Sequence, residues 1–523
     1  MKTLKTFALA ALGILLLAGT TQTSTAQDVD RSKYPDWRPF DPALQRQMPQ
    51  RATKGKARSG SATQRPDHLN NALSMFFPPV FNQSGGSCGS AQAIGYIFTH
   101  DMNNMRNLDA SFEENQYPSH FTWLFTNTDV PKYDMGVANG IPNVVNYGGR
   151  THSNDFGYQV PENYYFGWMQ GYDKWFNAMH NRMTGFFYGP RFADDWYGAR
   201  EQVKQWLWNH WGEEGYIEGG CVGIGVASGG TWESIPSTAI NDELGVTGKK
   251  YVWRWGKTYD HGLTICGYDD RIEFDLDGNG VIGEEAKDEK GAWIICNSWG
   301  AGWCNQGFIY CPYAHSYAMI NESGSHTLPW ATELYGYRHN FRPLRTIKIL
   351  MDYDHRWELS LIGGMAQDTS RTTPERTTGF VHFTQSTKFD ENGVSPECPM
   401  LGRWTDGYHY EPMEFGYDLT DLGESFDKSK PIKYFLTIRT KTGGIGKGHF
   451  YKASIINYEY DKNNPVEIPF DIKSFEINGG EKEITISVTV PGEALNPPLN
   501  AALNGNTLTW STPEATTLPR NKY

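Results

Sequence analysis

No two cysteines in this chain are spaced C-x-x-C, so the common framework of a structural zinc site is missing. Cysteine is scarce altogether. The seven are Cys88, Cys221, Cys266, Cys296, Cys304, Cys311 and Cys398, and none falls between 89 and 220. An odd count leaves at least one thiol without an intramolecular partner, even in an oxidising compartment. Positive charge is also short. Lys and Arg number 47 against 59 Asp and Glu, a formal net charge of -12, which argues against nucleic acid as a partner. Beyond the first residues no apolar run is long enough to cross a bilayer, so the chain is expected not to span a membrane. Charged residues make up only 20% and aromatics 14%, the texture of aromatic-rich β structure. The same rings would suit peptide or glycan contact.

The opening residues do carry a signal. Lys2 and Lys5 form a basic start, Phe7 to Leu17 an apolar stretch, and Ser24-Thr25-Ala26 a small-residue cleavage site before Gln27. This predicts an export signal over 1–26 and a mature protein in the periplasm, at the cell surface or outside the cell. No cysteine follows the expected cut, so no lipid anchor is expected there. At 523 residues, two to four domains are expected. Residues 27–68 are polar, and the basic run Arg51 to Arg58 suits a flexible linker or short pro-segment.

From 69 to 342 the order is helix first, strands later. Ala91, Ile94, Ile97, Phe98 and Met102 recur at helical spacing, and Arg200 to Trp211 is amphipathic. Cys221 to Val226, Leu263 to Tyr268 and Trp293 to Cys296 read as buried strands. From 343 to 465, Ile347 to Leu350, Phe380 to Phe383 and Tyr434 to Ile438 read as strands of an all-β sandwich. Residues 466–523 add a further β segment, whose Pro497 to Trp510 stretch resembles the start of a fibronectin type III module.

Three short segments carry chemistry. Asn82-Gln83-Ser84-Gly85-Gly86-Ser87-Cys88 places a thiol after a glycine-rich turn and before a helix. A helix N-terminus favours the thiolate, and the upstream Gln83 amide can help bind an oxyanion. Asp260-His261-Gly262 offers a base, and Cys296-Asn297-Ser298-Trp299-Gly300 an orienting amide. Taken singly, each is more often structural. Together, in the order Cys, His, Asn, they resemble the papain-like cysteine peptidases. The resemblance implies an α+β, two-lobed peptidase followed by the β-sandwich region. Cys88 would be nucleophile, His261 base and acid, Asn297 its orienter, Trp299 a shield, and Gln83 with the Cys88 N–H an oxyanion hole. Protein or peptide would be the substrate, and no cofactor is needed for catalysis.

The nucleophile has two frames. The family signature C-G-S-C-W, laid on Cys88-Gly89-Ser90-Ala91-Gln92, puts Ala91 at the nucleophile and gives a dead enzyme that binds peptide or glycan. Laid the other way, Gly86-Ser87-Cys88 is the final G-S-C. The family separates glutamine and nucleophile by six residues. Here Cys88 lies five after Gln83 and Ala91 lies eight after it, which favours Cys88. In the family the first signature cysteine pairs with a later cysteine loop. The matching stretch here, Gly136 to Pro142, has none.

Between the base and the orienter lies Asp275-Leu276-Asp277-Gly278-Asn279-Gly280-Val281, the start of a calcium-loop pattern. Asp275, Asp277, Asn279 and the Val281 carbonyl would be ligands of a structural Ca2+. Position twelve is Ala286, so the last carboxylate must come from Glu285, Asp288 or Glu289, with Glu285 the expected one. The alternative is an acidic turn with no ion.

Overall fold

The computed structural model describes residues 65–126, 145, 148–157, 159, 167–191, 196–256, 260–316, 331–383, 397–404, 407–409, 412–459, 461–492, 499–504 and 507–511. The export signal, nearly all of the 27–68 segment and the Gly136 to Pro142 loop lie outside the described residues.

The fold is α+β. One long helix runs through three consecutive segments, Cys88–Ser90, Ala91–Phe98 and Thr99–Arg106. The middle segment has the wider π winding, a device often found near functional sites. The helix stops at Asn107, which takes the left-handed conformation. Residues 91–98 are all buried. They pack into a core with Phe77, Phe81, Cys221, Cys266 and Cys296.

That helix lies against a sheet ordered Met183–Arg191, Ala331–Tyr337, Val222–Val226, His261–Glu273, Lys290–Cys296, Phe308–Pro312, Lys250–Arg254, Thr231–Ser234. His68–Asn70 also pairs with His261–Glu273. Val222–Val226 is buried throughout, and His261–Glu273 is buried continuously from Leu263 to Asp269. The helix expected over Arg200 to Trp211 spans Trp196–Asn209 and covers this sheet through Val203, Trp206 and Leu207.

Two further antiparallel sheets form the β region. One orders Met413–Asp418, Arg345–Tyr353, Lys447–Asn457, Val466–Pro469, with Phe475–Asn478 also on Lys447–Asn457. The other orders Arg376–Gly379, Leu359–Ala366, Ile432–Thr440, Glu483–Val490. Alternate side chains, such as Ile347, Ile349 and Met351, point into a shared core with Leu361, Leu436 and Ile486. These sheets run past the expected boundary at 465, because Glu483–Val490 pairs with Ile432–Arg439 along its whole length. Beyond them, Leu499–Asn504 and Thr507–Ser511 form a hairpin. Phe380 to Phe383 is a turn and not the expected strand, closed by the Phe383 N–H on the Phe380 carbonyl at 2.9 Å. Phe380 and Phe383 are buried by core packing instead of by ladder position.

The two regions are not separate bodies. Phe121, Phe125, Trp168, Trp175 and Met179 belong to the same core as the sandwich strands. Gly167–Met169 pairs in parallel with Leu401–Trp404. The Tyr172 hydroxyl meets Thr346 Oγ1 at 2.5 Å and Tyr458 Oη at 3.1 Å.

Candidate active site

The turn before the helix is made by Gly85, whose φ of 67° suits glycine. Ser87 Oγ donates to the Ser84 carbonyl at 3.0 Å, and the Ala91 N–H meets the Ser87 carbonyl at 2.7 Å. Cys88 is therefore the first helical residue, where backbone N–H groups lack helical acceptors. It is half-buried, whereas Ala91 is 0% exposed within the core. The two nucleophile frames thus place their candidates in different surroundings, one at the surface of the helix start and one inside.

His261 opens its strand and Asn297 follows the end of the next one. The antiparallel register pairs Thr264 with Cys296. Continued outward, it brings His261 level with Trp299. His261 Nε2 lies 2.8 Å from Asn297 Oδ1. The same oxygen accepts the Ser298 N–H at 2.7 Å, which identifies it as the amide oxygen. Nε2 is accordingly the N–H donor, and the neutral ring keeps its lone pair on Nδ1. The Trp299 ring lies 4.7 Å from the imidazole, tilted by 30°, and Trp303 backs it at 5.5 Å. Burial pulls the His261 pKa below its ordinary value, opposed by the Asn297 hydrogen bond and the Asp260 charge.

Helix and strand meet at Gly262. A Cβ there would stand 2.4 Å from Gln92 Oε1, 3.3 Å from the Cys88 carbonyl and 3.4 Å from Gly89 Cα. Glycine beside His261 is what lets the strand approach the helix start so closely. Gln83 joins from the other side: its N–H donates to the Ser298 carbonyl at 2.7 Å. Its Oε1 accepts from Ser298 Oγ at 2.5 Å, and its Nε2 donates to the Gly85 carbonyl at 3.0 Å. An amide nitrogen carries two N–H groups, so one remains for a ligand. Gly262 thus sets the Cys88 end of the helix beside the His261 strand, and Ser298 ties Gln83 to Asn297. Ser298, which fixes both amides, and Tyr96, whose hydroxyl donates to the Asn297 carbonyl at 3.0 Å, were not singled out from the sequence. Only their place after or opposite Asn297 marks them.

The remaining thiols are of another kind. Burial raises the pKa of Cys221, Cys266, Cys296, Cys304, Cys311 and Cys398. None of the seven cysteines is in a disulfide.

In the acidic loop, one oxygen each of Asp275, Asp277 and Glu289 lies within 4.8 Å of the others. Asn279 and Gly280 fold their N–H groups back onto Asp275, at 3.1 and 3.0 Å. Glu289 is fully buried and accepts the Leu276 N–H at 2.7 Å and the Glu284 N–H at 3.2 Å. Glu285 does not join them: its side chain is 82% exposed and faces Lys290 at 3.4 Å. Val281 is exposed, and Asn279 Oδ1 is taken by the Val281 N–H at 2.6 Å. Lys287 Nζ sits 2.5 Å from Asp277 and 2.7 Å from Glu284, and this holds the Asp277 pKa below the usual carboxylate value.

No protein-family model matches the chain, and no curated protein matches it in sequence. Among solved structures it is similar to papain-like cysteine proteases. Xylellain, a cysteine protease from Xylella fastidiosa, matches at TM-score 0.33 and 14% identity, over 56% of this chain and 95% of that one. The bromelain protease from Ananas comosus matches at TM-score 0.30 and 14% identity, over 52% and 100%. Digestive procathepsin L2 from Tenebrio molitor matches at 0.32 and 16%, over 53% and 70%. At these values the likeness does not carry a functional argument.

Proposed function

We propose that this chain is an exported papain-like cysteine peptidase. The observation that carries the reading is the His261–Asn297 hydrogen bond at 2.8 Å under the Trp299 ring, with the Cys88 end of the helix packed on Gly262. In this reading His261 Nδ1 takes the Cys88 proton and the thiolate attacks the peptide carbonyl carbon. The spare Gln83 N–H and the Cys88 backbone N–H receive the oxyanion. The imidazolium returns its proton to the leaving amine, giving a thioester. His261 then deprotonates a water that releases the acid and frees Cys88. Burial alone disfavours the imidazolium, so the thiolate is the counter-charge that makes the pair stable.

The acidic loop is proposed to hold a structural calcium ion through Asp275, Asp277 and Glu289. The donor set is hard oxygen and suits that cation. Calcium would have to displace Lys287 from Asp277.

The deciding experiment is labelling with a vinyl-sulfone or epoxide thiol reagent. Modification of Cys88, with loss of peptide hydrolysis in Cys88→Ala and an unchanged melting temperature, is the expected outcome. A protein that binds peptide but neither hydrolyses it nor reacts at Cys88 is a dead peptidase scaffold, and the proposal falls.

A further inference from the structure

Three arginines far apart in sequence gather around one cavity, and among the described residues none of them meets a carboxylate in an ion pair. The cavity has a volume of about 700 Å³ and is walled by Arg106, His152, His180, Asn181 and Arg342. That is the size of a small-molecule site. It shares no residue with the cysteine site. Arg106 donates only to neutral acceptors: Tyr117 Oη at 3.0 Å, Asn181 Oδ1 at 2.7 Å and the His180 carbonyl at 3.4 Å. Arg342 keeps a buried Nε without a hydrogen-bond partner. Arg150 stands behind the wall, 0% exposed, and all three of its guanidinium nitrogens lack hydrogen-bond partners.

A guanidinium stays charged in a protein, so an unpaired buried one is costly. Two other buried arginines have a carboxylate: Arg182 reaches Asp418 at 2.8 Å and Arg345 reaches Glu459 at 2.5 Å. Arg150 has only the face of the Phe121 ring, 5.1 Å away, as Arg356 has that of Trp168 at 4.3 Å. Two arginines, Arg106 and Arg342, and two acids, Glu114 and Asp155, line the cavity, and Arg150 behind the wall adds a third cation. Of the two acids, only Asp155 acts on a neighbouring imidazole. Asp461 feels Arg342 from beyond ion-pair range. Burial first, then the arginines, hold both His152 and His180 below their ordinary pKa.

The donors are set for an acceptor. Asn181 Oδ1 accepts from Arg106, so Asn181 Nδ2 is the donor to His152 Nε2 at 3.3 Å. His152 therefore carries its proton on Nδ1. That N–H is buried, near the Glu114 carbonyl but outside hydrogen-bond geometry.

We propose that this cavity binds a small organic oxyanion, a polycarboxylate or a phosphate ester, held by Arg342, Arg106 and the His152 N–H. Planar guanidinium forks match carboxylate and phosphate oxygens, and Arg150 adds its charge from behind.

The test uses the full chain with inorganic phosphate and with citrate, against chloride at matched ionic strength, read by titration calorimetry and melting. A saturable heat and a raised melting temperature with either oxyanion, absent with chloride, is expected. Response to phosphate alone assigns the phosphate source, and response to citrate alone the carboxylate source. Arg342→Gln should weaken binding about tenfold or more, while Cys88 alkylation keeps its rate. Should that variant fail to fold, His152→Gln carries the same test. No saturable response, or unchanged binding in the variant, overturns the site.

Discussion

Asn297→Ala tests the catalytic reading most directly. The wild-type Oδ1 takes two N–H groups, His261 Nε2 at 2.8 Å and Ser298 N at 2.7 Å. Both are buried, and alanine leaves both without that acceptor. Each orphaned donor costs about 1–3 kcal/mol. The Ser298 share falls on folding and lowers the melting temperature. The His261 share falls on the reaction, because the ring loses the bond that fixes its tautomer and tilt. Trp299 still packs on the ring at 4.7 Å, so orientation is weakened and not abolished. At about 1.4 kcal/mol per decade, kcat/KM should fall roughly 10- to 100-fold, less than in His261→Ala. The assay is steady-state hydrolysis of a fluorogenic peptide, with Cys88 alkylation measured against pH. The alkylation limb should move toward the free-thiol value of about 8.5. A kcat/KM within twofold of wild type would show that Asn297 does not hold the base.

Three other outcomes follow from the same structure. His382 is buried among Phe125, Trp175 and Tyr417, and burial pulls its pKa down to about 3. Its folded value lies below the unfolded one, so the unfolded chain takes the proton first. The stability is full above about pH 6.5 and drains as pH falls toward 3, a loss of about 3 kcal/mol at pH 4. His382→Phe should flatten the acid limb of the melting curve, and parallel curves would refute this. Calcium should raise the melting temperature by mass action, Asp277→Ala should abolish the response, and Lys287→Met should strengthen it; indifference to chelator and to calcium in all three proteins would reduce the loop to an acidic turn. Ending the chain at Arg342 should leave Phe121, Trp168 and Trp175 without the strands that cover them. The truncated protein should then be insoluble or molten, and a cooperative melt near the wild-type temperature would contradict the shared core.

The helix after Cys88, the strand that opens at His261 and the strand that ends just before Asn297 were legible because their signals are local: apolar spacing, and short motifs whose residues act beside one another. What escaped is non-local. Glu289 enters the acidic cluster because the chain folds back on itself, while Glu285 turns to solvent, and spacing alone cannot separate such near neighbours. Where Glu483–Val490 pairs could not be read from its alternating pattern, which is the same whatever its partner. The merging of Trp168 and Trp175 into the sandwich core has no signature except a high aromatic content. Arg106, Arg150 and Arg342 look like three unrelated surface cations until the fold collects them.

The sulphur distribution sets a kinetic condition on making this protein. Cys221, Cys266 and Cys296 are fully buried in one core, on or beside neighbouring strands. In the native state they are reduced and shielded. On the proposed export into an oxidising compartment, they would be exposed and close in the emerging sheet during synthesis, so that burial races against oxidation. A bridge made before the sheet closes would be sealed inside it as an error. Yield should therefore depend on how soon the sheet closes relative to the arrival of oxidant, and reductant supplied early should rescue chains that reductant supplied late cannot.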